Sequence, residues 1–209
     1  MNDSLSLFSG SSTPETIPMQ DAQVRFMQAF YRQPLSGELM ERLLSEICWR
    51  QETIILWGKE HLQPRLSAWY GDAGSRYTYS GVMLDPHPWS DTLLRIRRDI
   101  ENATGHHFNS VLLNLYRNEH DSVGWHSDAE PELSNAPAIA SLSLGDTRMF
   151  RLRHRKRKEV QQVSIALTDG SLLLMEGTTQ RFWQHAVMKE KDARLPRINL
   201  TFRTIQHQK

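Results

Sequence analysis

QVSIALTDGSLLLME, residues 162–176, is the stretch that decides the fold. Val163, Ile165 and Leu167 alternate with smaller or polar residues, which is the period-two signature of a strand. Leu172–Met175 is a short apolar run of strand length. Asp169-Gly170 between them is a turn signal, and the spacing predicts a hairpin. The same kind of segment recurs on both sides: SVLLNLY (110–116), AIASLSLG (138–145), MFRLRH (149–154), QHAVM (184–188) and RINLTFRTI (197–205). A run of short antiparallel-type strands predicts a jelly-roll or barrel, with another α+β sandwich as the alternative.

Upstream, the period changes. Residues 1 to about 20 are rich in Ser, Thr and Pro and read as a loose tail. Leu39, Met40, Leu43, Leu44, Ile47 and Cys48 fall on one helical face, with Ser36 as N-cap. ETIILWG (52–58) reads as a strand, and AWYGDAGSRYTYSG (68–81) as a hairpin or ordered loop. A second helix is expected from Ser90, with Leu93, Leu94, Ile96 and Ile100 as its stripe and Gly105 as its stop. The expected organisation is therefore a tail (1–20), a part with helices and hairpins (21–105) and a strand-rich part (106–209).

Bulk composition narrows the function classes. The 209 residues suit one domain, and 39% hydrophobic with 23% charged residues is ordinary for a globular protein. Net charge is +1, so nucleic-acid binding would need local patches. Cys48 is the single cysteine, which excludes an internal disulfide and any Cys-rich metal site. No signal-peptide pattern or membrane-length apolar run is present. The expectation is a cytoplasmic monomer with no membrane partner.

GWHSDAEPEL (124–133) holds His126 and Asp128 two residues apart. On a strand, i and i+2 face the same way, so the two could share a metal. His185 is the best third ligand, and two histidines with one carboxylate suit non-haem Fe(II). A packed core histidine is the plainer reading of His185. The other histidines, including His154, read as surface or loop residues. RINLTFR puts Arg197, Asn199, Thr201 and Arg203 on one strand face, opposite Ile198, Leu200 and Phe202. That polar face is either solvated or built for an anion, because guanidinium grips carboxylate. A small dicarboxylate that chelates the metal at one end would fit. Asn114 and Tyr116 share a face in the same way.

These pieces resemble one family. NLYRNEHDSVGWHSDAE (114–130), SLSLG (141–145), His185 and RINLTFR look like the AlkB family of Fe(II)- and 2-oxoglutarate-dependent dioxygenases. PRLSAWYGDAGSRYTYSG (64–81) and PHPW (86–89) resemble its subgroup that repairs alkylated double-stranded DNA. The resemblance implies an α+β fold built on a double-stranded β-helix, the jelly-roll. It implies Fe(II) held by His126, Asp128 and His185, with O2 as oxidant. The distal carboxylate of 2-oxoglutarate would go to Arg203, helped by Asn114 and Tyr116, and Arg197, Asn199 and Thr201 would complete that pocket. The implied reaction is oxidative demethylation of bases such as 1-methyladenine and 3-methylcytosine, releasing formaldehyde. Methylated RNA or a protein is the alternative substrate. One departure is Met188, where relatives often carry proline shortly after the second histidine.

The resemblance also distributes substrate contacts. Tyr79 would stack on a flipped base and Tyr77 would offer its hydroxyl, with Thr78 between them. Glu130 would read an exocyclic amine. Trp57, in the turn with Gly58 and Lys59, would fill the gap in the duplex, as apolar wedges do. Arg65 would support the distorted backbone. Arg151, Arg153, Arg155, Lys156, Arg157 and Lys158 form a dense cation run and are the expected phosphate contacts.

Overall fold

The computed structural model describes residues 13–56, 59–75, 77–79, 82–129, 131–134 and 136–206. Its frame is a pair of antiparallel sheets packed face to face. The larger has seven strands in the spatial order β1 (Glu15–Ile17), β2 (Gln23–Met27), β13 (Leu172–Glu176), β10 (Ile139–Gly145), β15 (Arg197–Arg203), β8 (Ser110–Tyr116) and β5 (Leu66–Gly71). The smaller has the order β12 (Val163–Leu167), β11 (Arg148–His154), β14 (Trp183–Val187) and β9 (Val123–His126). This is the expected jelly-roll within an α+β chain. Two separate hairpins, β3 (Thr53–Leu56) with β4 (Lys59–Leu62) and β6 (Tyr77–Tyr79) with β7 (Val82–Leu84), lie outside both sheets. No helix among the described residues is long and apolar enough to cross a membrane.

Alternation places the core. Ile198, Leu200 and Phe202 of β15 are fully buried against helices α1 (Leu35–Glu46) and α2 (Asp91–Thr104). The other face of the large sheet meets the small one, where Phe26, Ile139, Leu173 and Met175 pack on Phe150, Leu152, Ile165 and Trp183. Helix α2 starts and stops where expected. Ser90 Oγ accepts from the Leu93 amide at 3.3 Å, and Gly105 is left-handed at φ 75°. Leu93, Ile96 and Ile100 are buried, while Leu94 is exposed. In α1 only Leu39, Leu43 and Ile47 of the expected stripe are buried, and Leu44 and Cys48 face solvent.

Three local expectations are corrected. Residues 162–176 form the two expected strands, but β12 and β13 belong to different sheets, so TDGS is a corner and not a hairpin. The reason is a set of tertiary bonds stronger than a local ladder. Asp169 Oδ1 accepts from the Gly145 amide at 2.8 Å, and Oδ2 accepts from Ser36 Oγ at 2.6 Å and Gln33 Nε2 at 2.9 Å. The Gly170 carbonyl accepts from the Tyr31 amide at 2.9 Å. The same bonds explain why Ser36 is not an N-cap: its hydroxyl is spent on Asp169, and Pro34 holds the cap position. Finally, part of the segment read as a loose tail is strand β1, paired with β2. AWYG belongs to β5, and the YTY half of the same segment forms the β6–β7 hairpin.

Gly170 sits at φ +69°, and a Cβ there would lie 1.9 Å from the Tyr31 carbonyl oxygen. Gly170→Ala should lower the unfolding free energy by roughly 2–4 kcal/mol, read from urea midpoints. A second prediction concerns acid. Glu176 takes two hydrogen bonds from Arg25 and one from His106. Burial opposes its ionisation, but these partners outweigh burial and hold its carboxyl below the usual range. That stability is present above the unfolded carboxylate's pKa and lost as pH falls through the lower folded one. Glu176→Gln should therefore flatten the acid limb of stability against pH.

Candidate active site

His126 ends β9 and stands directly opposite His185 of β14. Their rings meet edge to face, 4.3 Å between centroids. Asp128 follows just beyond the strand, where Gln180 Oε1 accepts its backbone N–H at 2.9 Å. His126 Nδ1 lies 2.8 Å from the Gly124 carbonyl. A carbonyl only accepts, so Nδ1 carries a proton and Nε2 is the nitrogen turned toward Asp128. That Nε2 is 4.0 Å from Asp128 Oδ1, and His185 Nε2 is 3.9 Å from Asp128 Oδ2. One ligand atom from each residue falls within 4.8 Å of the others.

The electrostatics suit a cation. His185 is 4% exposed, stacked on Phe150 at 5.1 Å. Burial first, and then the neighbouring His126, push its pKa down to about 3. The imidazole is therefore neutral, the state that binds a metal. Asp128 is 2% exposed. Burial opposes its charge, yet the Arg203 guanidinium beside it holds its carboxyl below the usual range. Arg203 Nη2 donates to Asp128 Oδ1 at 2.6 Å. Two imidazoles and one carboxylate fit Fe(II) with positions left open.

The polar face of β15 lines the same cavity as the three ligands. It is not solvated: Arg197 is 1% exposed and Asn199 8%. Asn199 Nδ2 donates to Ser141 Oγ at 2.7 Å, and Thr201 Oγ1 donates to Asn199 Oδ1 at 3.0 Å. Arg197 Nη2 donates to Ser143 Oγ at 2.9 Å, and its guanidinium lies 5.1 Å from the Tyr116 ring centroid. Among the described residues its Nε and Nη1 have no hydrogen-bond partner. Burial lowers its pKa to about 10, so it is still a cation at neutral pH. A buried guanidinium with donors to spare suits an anion. Arg203, the residue expected at the distal carboxylate, lines the same cavity and donates through Nη2 to Asp128.

Other expected residues divide. Asn114 and Tyr116 line the cavity. Arg65 lines the cavity as well: it is 5% exposed, and its Nε donates to Asn114 Oδ1 at 2.7 Å. Trp57, Gly58 and Glu130 lie outside the described residues. So do the side chains of Lys59, Tyr77, Thr78 and Tyr79, whose backbones sit in β4 and β6. Arg151 and Arg153 alternate outward on β11, and Arg155 to Lys158 are exposed in the turn after it. His154 is corrected from a surface residue to a buried one at 8% exposure. Phe150, Gln180 and Ser143 were not singled out. Alternation in MFRLRH marks Phe150 as inward, but nothing local says it meets a histidine.

Arg203 supplies a test. Arg203→Ala would leave Asp128 buried beside no counter-charge, at a cost of about 3–5 kcal/mol. The expected result is a lower urea midpoint together with weaker Mn(II) binding by calorimetry.

Comparison with known proteins agrees with this geometry. Residues 23–203 match the family model described as the 2OG-Fe(II) oxygenase superfamily. The chain is 51% identical over 178 residues to "Alpha-ketoglutarate-dependent dioxygenase alkB homolog 3" of Bos taurus, covering 81% of this chain and 62% of that protein. It is 43% identical over 156 residues to "DNA oxidative demethylase ALKBH2" of Homo sapiens, covering 72% of this chain and 60% of that protein. The chain thus spans about 60% of the length of these curated relatives. Among solved structures, "The structure of OsALKBH1" superposes with a TM-score of 0.67 at 16% identity, covering 92% of this chain and 100% of that one, which is a likeness of fold. With the His-Asp-His cluster and the jelly-roll in place, the chain belongs to the 2OG-Fe(II) oxygenase superfamily, within its AlkB family.

Proposed function

We propose that this chain is an Fe(II)- and 2-oxoglutarate-dependent dioxygenase that removes alkyl groups from base nitrogens in DNA, such as those of 1-methyladenine and 3-methylcytosine. One observation carries the reading. A cavity joins a cluster of two imidazoles and a carboxylate to a buried guanidinium, two of whose nitrogens have no hydrogen-bond partner among the described residues. The name of one relative, a DNA oxidative demethylase, supports a nucleic-acid substrate. Iron, 2-oxoglutarate and O2 would together supply the oxidant that hydroxylates the N-alkyl carbon. The hydroxylated product then loses formaldehyde and regenerates the base.

The chain's own residues do the rest. His126, Asp128 and His185 hold the metal on one side of the cavity. Arg197 grips the distal carboxylate of 2-oxoglutarate, with Tyr116 beside it and Asn199 and Thr201 packed along the same strand. Arg203 keeps Asp128 ionised and fixed. Arg65 and Asn114, joined by a hydrogen bond, form part of the cavity wall. Tyr77, Thr78, Tyr79 and Glu130 are proposed to receive the flipped base. Trp57, Gly58 and Lys59 are proposed to face the duplex, and Arg151, Arg153 and Arg155 to Lys158 its phosphates. An unpaired lesion costs less to extrude, which favours damaged bases.

The test is succinate and formaldehyde release with a 1-methyladenine oligonucleotide. Wild type should turn over and His126→Ala should not. Turnover of methylated RNA alone would overturn the DNA assignment. Arg197→Met should raise the KM for 2-oxoglutarate roughly 10- to 100-fold, since a charge-assisted hydrogen bond is worth about 1.5–3 kcal/mol. An unchanged KM would overturn the place given to Arg197.

A further inference from the structure

The cation-rich turn Arg155–Lys158 follows a buried histidine that the active site does not use. His154 stacks on Phe182 at 5.9 Å and meets Trp183 edge-on at 5.5 Å. Its Nδ1 accepts from the backbone amides of Lys156 at 3.3 Å and Arg157 at 3.0 Å. Because Nδ1 accepts, the ring proton sits on Nε2. That nitrogen faces Asp21 Oδ2 at 3.5 Å.

Asp21 is itself held in place. It occupies the turn between β1 and β2 at φ 55°. Its carbonyl accepts from Thr178 Oγ1 at 3.1 Å, and the Gln20 carbonyl accepts from Trp183 Nε1 at 2.8 Å. From the other side, the Arg155 amide donates to the Phe182 carbonyl at 2.7 Å. Asp21 also lies 3.9 Å from Arg157 Nη1. Four adjacent cations repel one another, so a turn that bunches them needs something to hold its backbone. The imidazole does this by satisfying two amides at once.

We propose that His154 is a positioning residue for nucleic-acid phosphate contact: through Nδ1 it fixes the turn that presents Arg155, Lys156, Arg157 and Lys158. The inference rests on the reading of that turn as a phosphate contact. It requires that the shape of the turn, as well as its charge, governs binding.

Two substitutions separate the acceptor from the packing. His154→Phe keeps an aromatic ring against Phe182 and Trp183 but has no acceptor. His154→Asn loses the stacking but places Oδ1 near the position of Nδ1. Binding of a fluorescein-labelled 1-methyladenine duplex to the full chain is followed by anisotropy across salt concentrations. Amide exchange at Lys156 and Arg157 is followed by NMR. His154→Phe should expose both amides, weaken binding on the order of fivefold and reduce the salt slope by roughly 1. His154→Asn should restore amide protection and most of the affinity. A charge-reversed chain, with Glu at 155 to 158, should weaken binding further. If charge reversal weakens binding but His154→Phe binds like wild type, the role of His154 is overturned and the phosphate reading stands. If charge reversal has no effect, the phosphate reading fails and this inference fails with it.

Discussion

A carboxylate sealed from water must have a counter-charge, and the ion pair between Asp128 and Arg203 meets that demand at 2.6 Å. Asp128 follows the small sheet's β9, and Arg203 ends the large sheet's β15. The pair therefore ties the two sheets together across the cavity. It also sorts the protons. With the guanidinium beside it, Asp128 stays an anion, while burial keeps His185 neutral. Both are the states a metal needs, so the cluster is organised by the chain itself. Arg197 has no such carboxylate partner among the described residues. One arginine of β15 is paired within the protein, and the other is the one proposed above to meet the cosubstrate.

Much of the strand plan was legible because period two is a local property. The segments from SVLLNLY to RINLTFR announce themselves by their own alternation. What Asp169-Gly170 does is not local. The dipeptide is compatible with a hairpin, and bonds from Gly145, Ser36 and Gln33 decide otherwise. Strands β1 and β2 were missed for a related reason. They are short, and β2, on which β1 pairs, is held by β13, about 150 residues away in sequence.

For the site, spacing gave faces but not partners. His126 and Asp128 could be placed on one side from the i, i+2 relation, and the polar face of RINLTFR from the same rule. Which arginine meets Asp128 depends on how two sheets are superposed, which no single strand encodes. The bond between Arg65 and Asn114 is hidden on the same account, since it joins residues 49 apart in sequence. His154 shows the limit from the other direction. Surrounded by cations in the sequence, it reads as surface, but β11 turns it inward with Phe150 and Leu152.

That inward turn links the two halves of the proposed function. On β11, Phe150 stacks on His185, while Arg151 and Arg153 point outward. Leu152 pairs with His185 and Arg153 with Gln184, so the register with β14 sets both faces at once. Arg153 is braced outside by Gln184 Oε1, at 3.1 and 2.9 Å, and by the Trp125 ring at 4.3 Å. Gln184 and Trp125 are the immediate neighbours of His185 and His126. A one-residue slip would exchange the two faces, carrying the cations inward and His185 out of the cavity. The strands that aim the metal ligands therefore also fix the outward cations, and neither surface could drift in evolution without disturbing the other.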